Sequence, residues 1–356
     1  MTAYSETRLS LRSWVSIAAA SVRLGVGFAL FRATGKTPAF AYQSLIRLFT
    51  LTSGRSNDFL ASLISWFRRP YPISVVEGVL GIRSREDLER IAAQIVDRGY
   101  FVFDQQLPTD MCDRLMRFAL TQPCRARATD AQSPDSDQKA VPYPRENPAA
   151  IIYDFPPTDV IVDPDVQSLM TDPSINALAE RYLGAKPVLD MINMWWSTAL
   201  SQRPDNNAAQ LYHFDMDHIR WLKFFIYVTD MTPRAGPHCF VAGSHRSGAI
   251  PATFLSRGYV RLSDAEVNQH FSPSDVKEFV GGRGTIVVED TRGLHKGKPV
   301  IAGDRLMLEF EFSNSLFGAN FKSGDQPVKM HDPTSNAFVE RYPRIFRRWL
   351  GSMPQR

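Results

Sequence analysis

The sequence predicts a mainly β chain with flanking helices, a sandwich or barrel preceded by a helical N-terminal extension. Three observations predict it. Between about residues 187 and 312, short apolar runs alternate with period two and are separated by turn residues. Upstream of that region lie segments with apolar residues at helical spacing. Charge is also unevenly spread: residues 1–70 hold nine Lys/Arg and two Asp/Glu, whereas the other 286 residues hold 32 and 35. The basic excess therefore belongs to the extension. The acidic body excludes a chain-wide nucleic-acid groove, so no nucleic-acid partner is expected.

Residues 1–72 read as two or three amphipathic helices between Leu9 and Phe67, with single arginines among apolar residues. Arg23, Arg32 and Arg47 interrupt each apolar run, which argues against a membrane-spanning helix. The helices are expected to pack on the body, with peripheral membrane contact through residues 1–70 as the sharper alternative and a cytoplasmic location for the enzyme. Pro70-Tyr-Pro72 marks a break.

Residues 73–320 form the main unit. Ser84-Arg-Glu-Asp87 caps a helix to about Asp97. A turn and strand follow over Arg98–Asp104, then a helix from Leu107-Pro-Thr-Asp110 to about Leu120. Residues 122–147 carry four prolines and few large apolar residues, the composition of a lid or a disordered loop. Leu222–Val228, Gly284–Val288 and Leu306–Phe312 are the clearest strands. Residues 321–356 form a tail with a basic helix over Phe338–Leu350, which Pro343 starts or kinks. Cys112, Cys124 and Cys239 show no paired spacing and fit free thiols in a reducing compartment.

The chemistry rests on His213-Phe-Asp215. In a strand, positions i and i+2 share a face, so an imidazole and a carboxylate can reach one ion while Phe214 turns away. Two histidines and one carboxylate make a three-sided iron site with open positions. H-x-D alone is a weak signal, but more follows it: Gly236-Pro237, Ala242-Gly-Ser-His245, a strand ending at His295, and Gly303-Asp-Arg305 opening another strand.

These elements, in this order and spacing, resemble the phytanoyl-CoA dioxygenase family of Fe(II)- and 2-oxoglutarate-dependent oxygenases, over about residues 97–315. The resemblance implies a double-stranded β-helix (jelly-roll, cupin-like) barrel. It implies that His213, Asp215 and His295 hold Fe(II), and that Arg305 holds the far carboxylate of 2-oxoglutarate. O₂ would be the oxidant, with ascorbate as a supporting reductant. A carboxylate at 215 points to oxygen transfer rather than halogenation. The proline usual before Gly-Ser-His is Ala242 here.

Around that core, Lys223 either faces solvent or pairs with a carboxylate of cosubstrate or substrate. Asn193 and Ser197 are candidates to touch the cosubstrate, and Trp195 or Trp196 to line a pocket. Asp217 shares the face of His213 and Asp215; His218 falls opposite, and a second trio using both stays open. His245 reads as a turn residue, His270 and His331 as solvated. His238 has no role in the pattern.

The expected function is hydroxylation, desaturation or cyclisation of a small-molecule C–H bond, with a lipid-like or natural-product substrate. The alternatives are a non-catalytic membrane or interaction protein, against which the intact ligand set speaks, and a nucleic-acid demethylase. Demethylases of that type carry a second arginine six residues after the first, where this chain has Glu311. The sequence leaves the oligomeric state open.

Overall fold

The computed structural model describes residues 11–128, 140–321 and 328–349. Three helices come first: α1 (Leu11–Thr34), α2 (Ala39–Thr52) and α3 (Arg55–Phe67). Then come α4 (Arg85–Arg98), β1 (Tyr100–Val102), α5 (Thr109–Thr121), β2 (Pro123–Ala126), β3 (Val141–Pro142) and β4 (Ile152–Asp154). Short helices α6 (Pro157–Val160), α7 (Pro164–Met170) and α8 (Pro173–Leu183) lead to β5 (Val188–Thr198), β6 (Trp221–Tyr227) and β7 (His238–Val241). α9 (Ala252–Leu255), α10 (Asp264–Asn268), β8 (Val276–Phe279), β9 (Ile286–Glu289), β10 (His295–Gly297), β11 (Asp304–Ser313) and α11 (Pro333–Arg341) complete the order.

The strands form two antiparallel sheets. The larger has eight strands in the order β1-β9-β6-β11-β5-β4-β2-β3; the smaller has three, β10-β7-β8. A cavity of about 270 Å³ lies between them, lined from β5, β6 and β11 on one side and β7 and β10 on the other. This is the double-stranded β-helix expected.

Alternation along β11 sets inside from outside. Leu306, Leu308, Phe310 and Phe312 are buried outward with Leu88, Ile91, Leu115 and Leu178 of the covering helices. Arg305, Met307 and Glu309 line the cavity. The covering helices start where their caps dictate. Ser84 accepts a hydrogen bond from the Asp87 amide at the start of α4, and Asp172 accepts from the Ser174 and Ile175 amides at α8.

The ends of the proline-rich 122–147 segment are strands rather than loop. Cys124 pairs with Val141, and Arg125 with Asp154, so the segment extends the edge of the larger sheet. The lid or disorder reading concerns residues that, over 129–139, lie outside the described residues. The C-terminal helix is a correction. It runs over Pro333–Arg341, not Phe338–Leu350, and starts where Asp332 caps the Ser335 amide. The residue before a proline is disfavoured in helical conformation, so the helix ends ahead of Tyr342-Pro343. The remaining chain straps the sheet: Ile345 and Phe346 are buried, and the Trp349 indole donates to the Leu189 carbonyl at 2.9 Å.

The N-terminal arginines do not break the first helix. Ser13–Thr34 is continuous and, by length and composition alone, apolar enough to cross a membrane, with mean hydropathy 1.6. One face of it, Ala20, Leu24 and Phe31, packs with Ala41, Leu45 and Phe317. A Cβ on Gly27 would stand 2.1 Å from that of Ala41, so glycine is what lets α1 and α2 approach this closely.

Candidate metal and cosubstrate site

His213 and His295 are adjacent at the β10 edge of the smaller sheet. Each backbone amide donates to the other's carbonyl, at 3.0 and 2.9 Å. The pairing is an isolated bridge rather than part of a long strand, but it keeps the extended alternation. Asp215, whose amide donates to the Thr291 carbonyl at 2.8 Å, therefore shares the inner face with His213. Phe214 points the other way and stacks on Phe49 of α2, ring centroids 5.9 Å apart.

Each imidazole is oriented by its own neighbourhood. His213 Nδ1 lies 2.9 Å from the Leu211 carbonyl and His295 Nδ1 2.9 Å from the Gly293 carbonyl. An Nδ1–H donating there leaves the Nε2 lone pair free, the arrangement of a metal-ligating histidine. Those Nε2 atoms stand 3.7 and 3.6 Å from the two Asp215 oxygens, too far for hydrogen bonds. Burial, and for His213 then its neighbour His295, holds both imidazoles below their ordinary pKa and so neutral. Burial would raise Asp215, but the Lys223 ammonium and both imidazoles outweigh it and keep it ionised. Two neutral nitrogens and one carboxylate, all within 4.8 Å of one another, fit a divalent iron.

Lys223 faces inward. Its Nζ lies 2.9 Å from Asp215, 3.2 Å from Asp217, 3.4 Å from Glu309 and 3.1 Å from Glu311. The chain's own carboxylates thus surround it, which leaves it ill placed for a carboxylate of cosubstrate. Asn193 lines the cavity, with Nδ2 3.3 Å from Glu309. Ser197 is fully buried behind Arg305 and accepts from its Nη2 at 3.0 Å, so it reaches the arginine rather than the cavity. Trp195 lines the cavity, whereas Trp196 turns outward and donates to the Ala119 carbonyl.

Arg305 differs from Lys223 in one respect. It is buried in the cavity wall, bonded to the Gly236 carbonyl and Ser197, yet its Nε has no partner. Among the described residues no carboxylate lies within ion-pair distance. Burial lowers it to about 10. A desolvated guanidinium with a free edge is a carboxylate receptor, so the residues fit 2-oxoglutarate as well as iron.

Sequence reasoning missed three residues. His238 lies on the cavity wall with Nδ1 2.7 Å from the buried Glu289 and its ring 5.5 Å from that of His295. Arg127, held by both oxygens of Asp154, and Arg261, stacked on Tyr259, also line the cavity. The Pro237-His238 step beside the Gly236 turn was the available signal for His238. The arginines come from segments with no motif. His245 holds a turn, with Nε2 3.0 Å from the Val96 carbonyl, and His270 and His331 are exposed.

The phytanoyl-CoA dioxygenase family model matches residues 95–299. No curated relative matches the chain. Among solved structures, the 2-oxoglutarate-dependent epimerase SnoN from nogalamycin biosynthesis is 16% identical, over 65% of this chain and 84% of its own, with a TM-score of 0.47. HygX from Streptomyces hygroscopicus, with nickel, 2-oxoglutarate and hygromycin B bound, is 14% identical over 68% and 91%, with a TM-score of 0.47. EctD from S. alaskensis is 17% identical over 68% and 82%, with a TM-score of 0.44.

Proposed function

Because the chain belongs to the phytanoyl-CoA dioxygenase family, whose reactions use Fe(II), 2-oxoglutarate and O₂, we propose that it oxidises a C–H bond of a small, largely apolar molecule. With iron and 2-oxoglutarate bound, O₂ would be the oxidant, taking two electrons from the keto acid, which would leave as succinate and CO₂, and two from the substrate, which would be hydroxylated, desaturated or cyclised. Everything else is the work of the chain's residues. His213, Asp215 and His295 hold the metal on three sides. The carbonyls of Leu211 and Gly293 fix the ring orientations, so no proton competes for the Nε2 atoms. Arg305 takes the distal carboxylate, and its bonds to Gly236 and Ser197 set the direction in which the cosubstrate lies.

The unpaired Arg305 beside the saturated Lys223 is the observation that carries this reading. Both cations are buried in one cavity, and only one of them has a free edge for an anion. Trp195, Phe225 and Met307 give the cavity an apolar wall, while Arg127 and Arg261 face it from elsewhere. This lining suits an apolar substrate body with a polar or anionic end.

Anaerobic titration calorimetry with Mn(II), then 2-oxoglutarate, tests the proposal. One equivalent of each should bind, the second only after the first. No metal binding, or equal 2-oxoglutarate affinity in Arg305→Ala, refutes it.

A further inference from the structure

α1 and α3 present apolar faces on the side away from the barrel. On α1, Ala20, Leu24, Gly27 and Phe31 are buried, while Leu11, Trp14, Val15, Val22 and Val26 form a second apolar stripe that is exposed. Only 22% of the apolar stretch of α1 is buried. A helix apolar on both sides needs cover on both. α3 turns its amphipathic stripe outward: Phe59, Leu63, Trp66 and Phe67 share the exposed face, and the polar Asn57 is buried against the body, donating to the Ile219 carbonyl. Trp66 and Phe67 are 68% and 71% exposed.

A basic cluster marks the end these helices share. Arg32 closes α1 and Arg68 follows α3; Arg344 and Arg347 come from the C-terminal strap. Burial and this mutual repulsion lower Arg68, and they lower Arg347 to about 10. Among the described residues none of the four has a carboxylate within ion-pair distance. The first 70 residues offer only Glu6 and Asp58, and Asp58 is engaged by Arg292 at 3.0 Å.

We infer that the outward faces of α1 and α3, with the Arg32, Arg68, Arg344 and Arg347 cluster, dock the protein on an anionic phospholipid bilayer. The helices lie in the headgroup region: Trp14, Trp66 and Phe67 enter the acyl boundary and the arginines meet phosphates. Packing of α1 along α2 keeps it in the plane of the surface rather than across the membrane. A second copy fits less well. A copy of the same face would have to answer the arginine cluster, and among the described residues of α1 to α3 its only carboxylate, Asp58, is already engaged by Arg292. This inference does not depend on the proposed reaction.

Sedimentation of the full chain with phosphatidylcholine vesicles, and with equal parts phosphatidylcholine and phosphatidylglycerol, is the test. Binding to the anionic vesicles alone, weakened by salt, is expected. Arg32→Gln, Arg68→Gln and Arg344→Gln should each weaken it about fivefold. Trp66→Ser with Phe67→Ser should weaken it by roughly tenfold or more. Arg32, Trp66, Phe67 and Arg344 are exposed and Arg68 is half-buried, and an unchanged thermal midpoint shows that the fold is kept. Three results overturn the inference: no sedimentation with anionic vesicles at low salt, binding unchanged in the variants, or a dimer in solution that Trp66→Ser dissociates.

Discussion

Two histidine–carboxylate trios occupy the same barrel and teach different lessons. His213, Asp215 and His295 face the cavity; Asp190, His218 and Glu311 are sealed, with no exposed side-chain surface. Each trio keeps its donor atoms within 4.8 Å. In the first, both imidazoles are anchored through Nδ1, so their free nitrogens converge. In the second, His218 Nδ1 has no partner, and Nε2 lies 2.7 Å from Asp190. Burial and the Asp190 carboxylate push Glu311 up, while Lys223 already contacts it at 3.1 Å. Equal compactness does not make equal sites: a second imidazole, anchoring through Nδ1 and access to a cavity separate a candidate metal site from a packed ionic knot.

The most direct break of this comparison is metal content. His213→Ala, Asp215→Ala and His295→Ala should each lower iron affinity on the order of 100-fold or more and abolish succinate formation. His218→Gln should leave one equivalent of iron in place. Iron lost from His218→Gln but kept in His213→Ala would reverse the assignment, and undiminished turnover in Asp215→Ala would remove that ligand.

The ionic knot should matter to stability instead. Lys223→Met strands four carboxylates around a vacated cation site and should cost about 3–5 kcal/mol in urea denaturation. A loss under about 1 kcal/mol would mean that those carboxylates are neutral without it. Arg305→Ala sharpens the contrast between the two buried cations. Its effect should fall on 2-oxoglutarate, with affinity lowered by about 2–5 kcal/mol, roughly 30-fold or more, and metal content unchanged.

His245 supplies the smallest and most graded test, a buried histidine with no ion-pair partner among the described residues. Burial lowers it to about 4 from an ordinary 6.5. The unfolded chain therefore takes up a proton through pH 6.5 that the folded chain refuses until about pH 4. Stability is whole above that window and falls as pH drops through it, by up to about 3 kcal/mol. Denaturation of metal-free protein across the window should show this slope, and His245→Gln should flatten it. An unchanged slope assigns the acid sensitivity to other groups.

Local pattern made most of the barrel legible. Alternation placed Arg305, Met307 and Glu309 inside and Leu306, Leu308, Phe310 and Phe312 outside, and Ser84 announced its helix. Spacing singles out His213 and Asp215 because i, i+2 geometry is local, and the family resemblance is what implied His295. The unread part was long-range. Lys223 meets four carboxylates drawn from two segments, and no spacing rule reports that convergence. Ser197 reaches Arg305 only because β5 and β11 pair in that register. His238 was passed over because its partner, Glu289, is 51 residues away. The N-terminal helices are legible as helices with single arginines in them, but not their bounds: Arg23 and Arg32, which interrupt the apolar runs, both lie inside one continuous α1, arginine being a good helix former.

Phe214 lies between two of the candidate ligands in sequence, and its ring rests on Phe49 of the extension. Asn57 and Asp58 of the same layer hold Ile219 and Arg292, next to the strands that carry Asp215 and His295. The N-terminal helices are thus the floor beneath the histidine pair as well as a surface layer. A chain cut before residue 73 would bare that aromatic underside and free the ends of the two strands. Hydrogen exchange should show the 213–219 segment and α2 opening together, as one unfolding unit. Whatever a membrane does to these helices would then be felt, through the Phe49, Asn57 and Asp58 contacts, at the histidine pair.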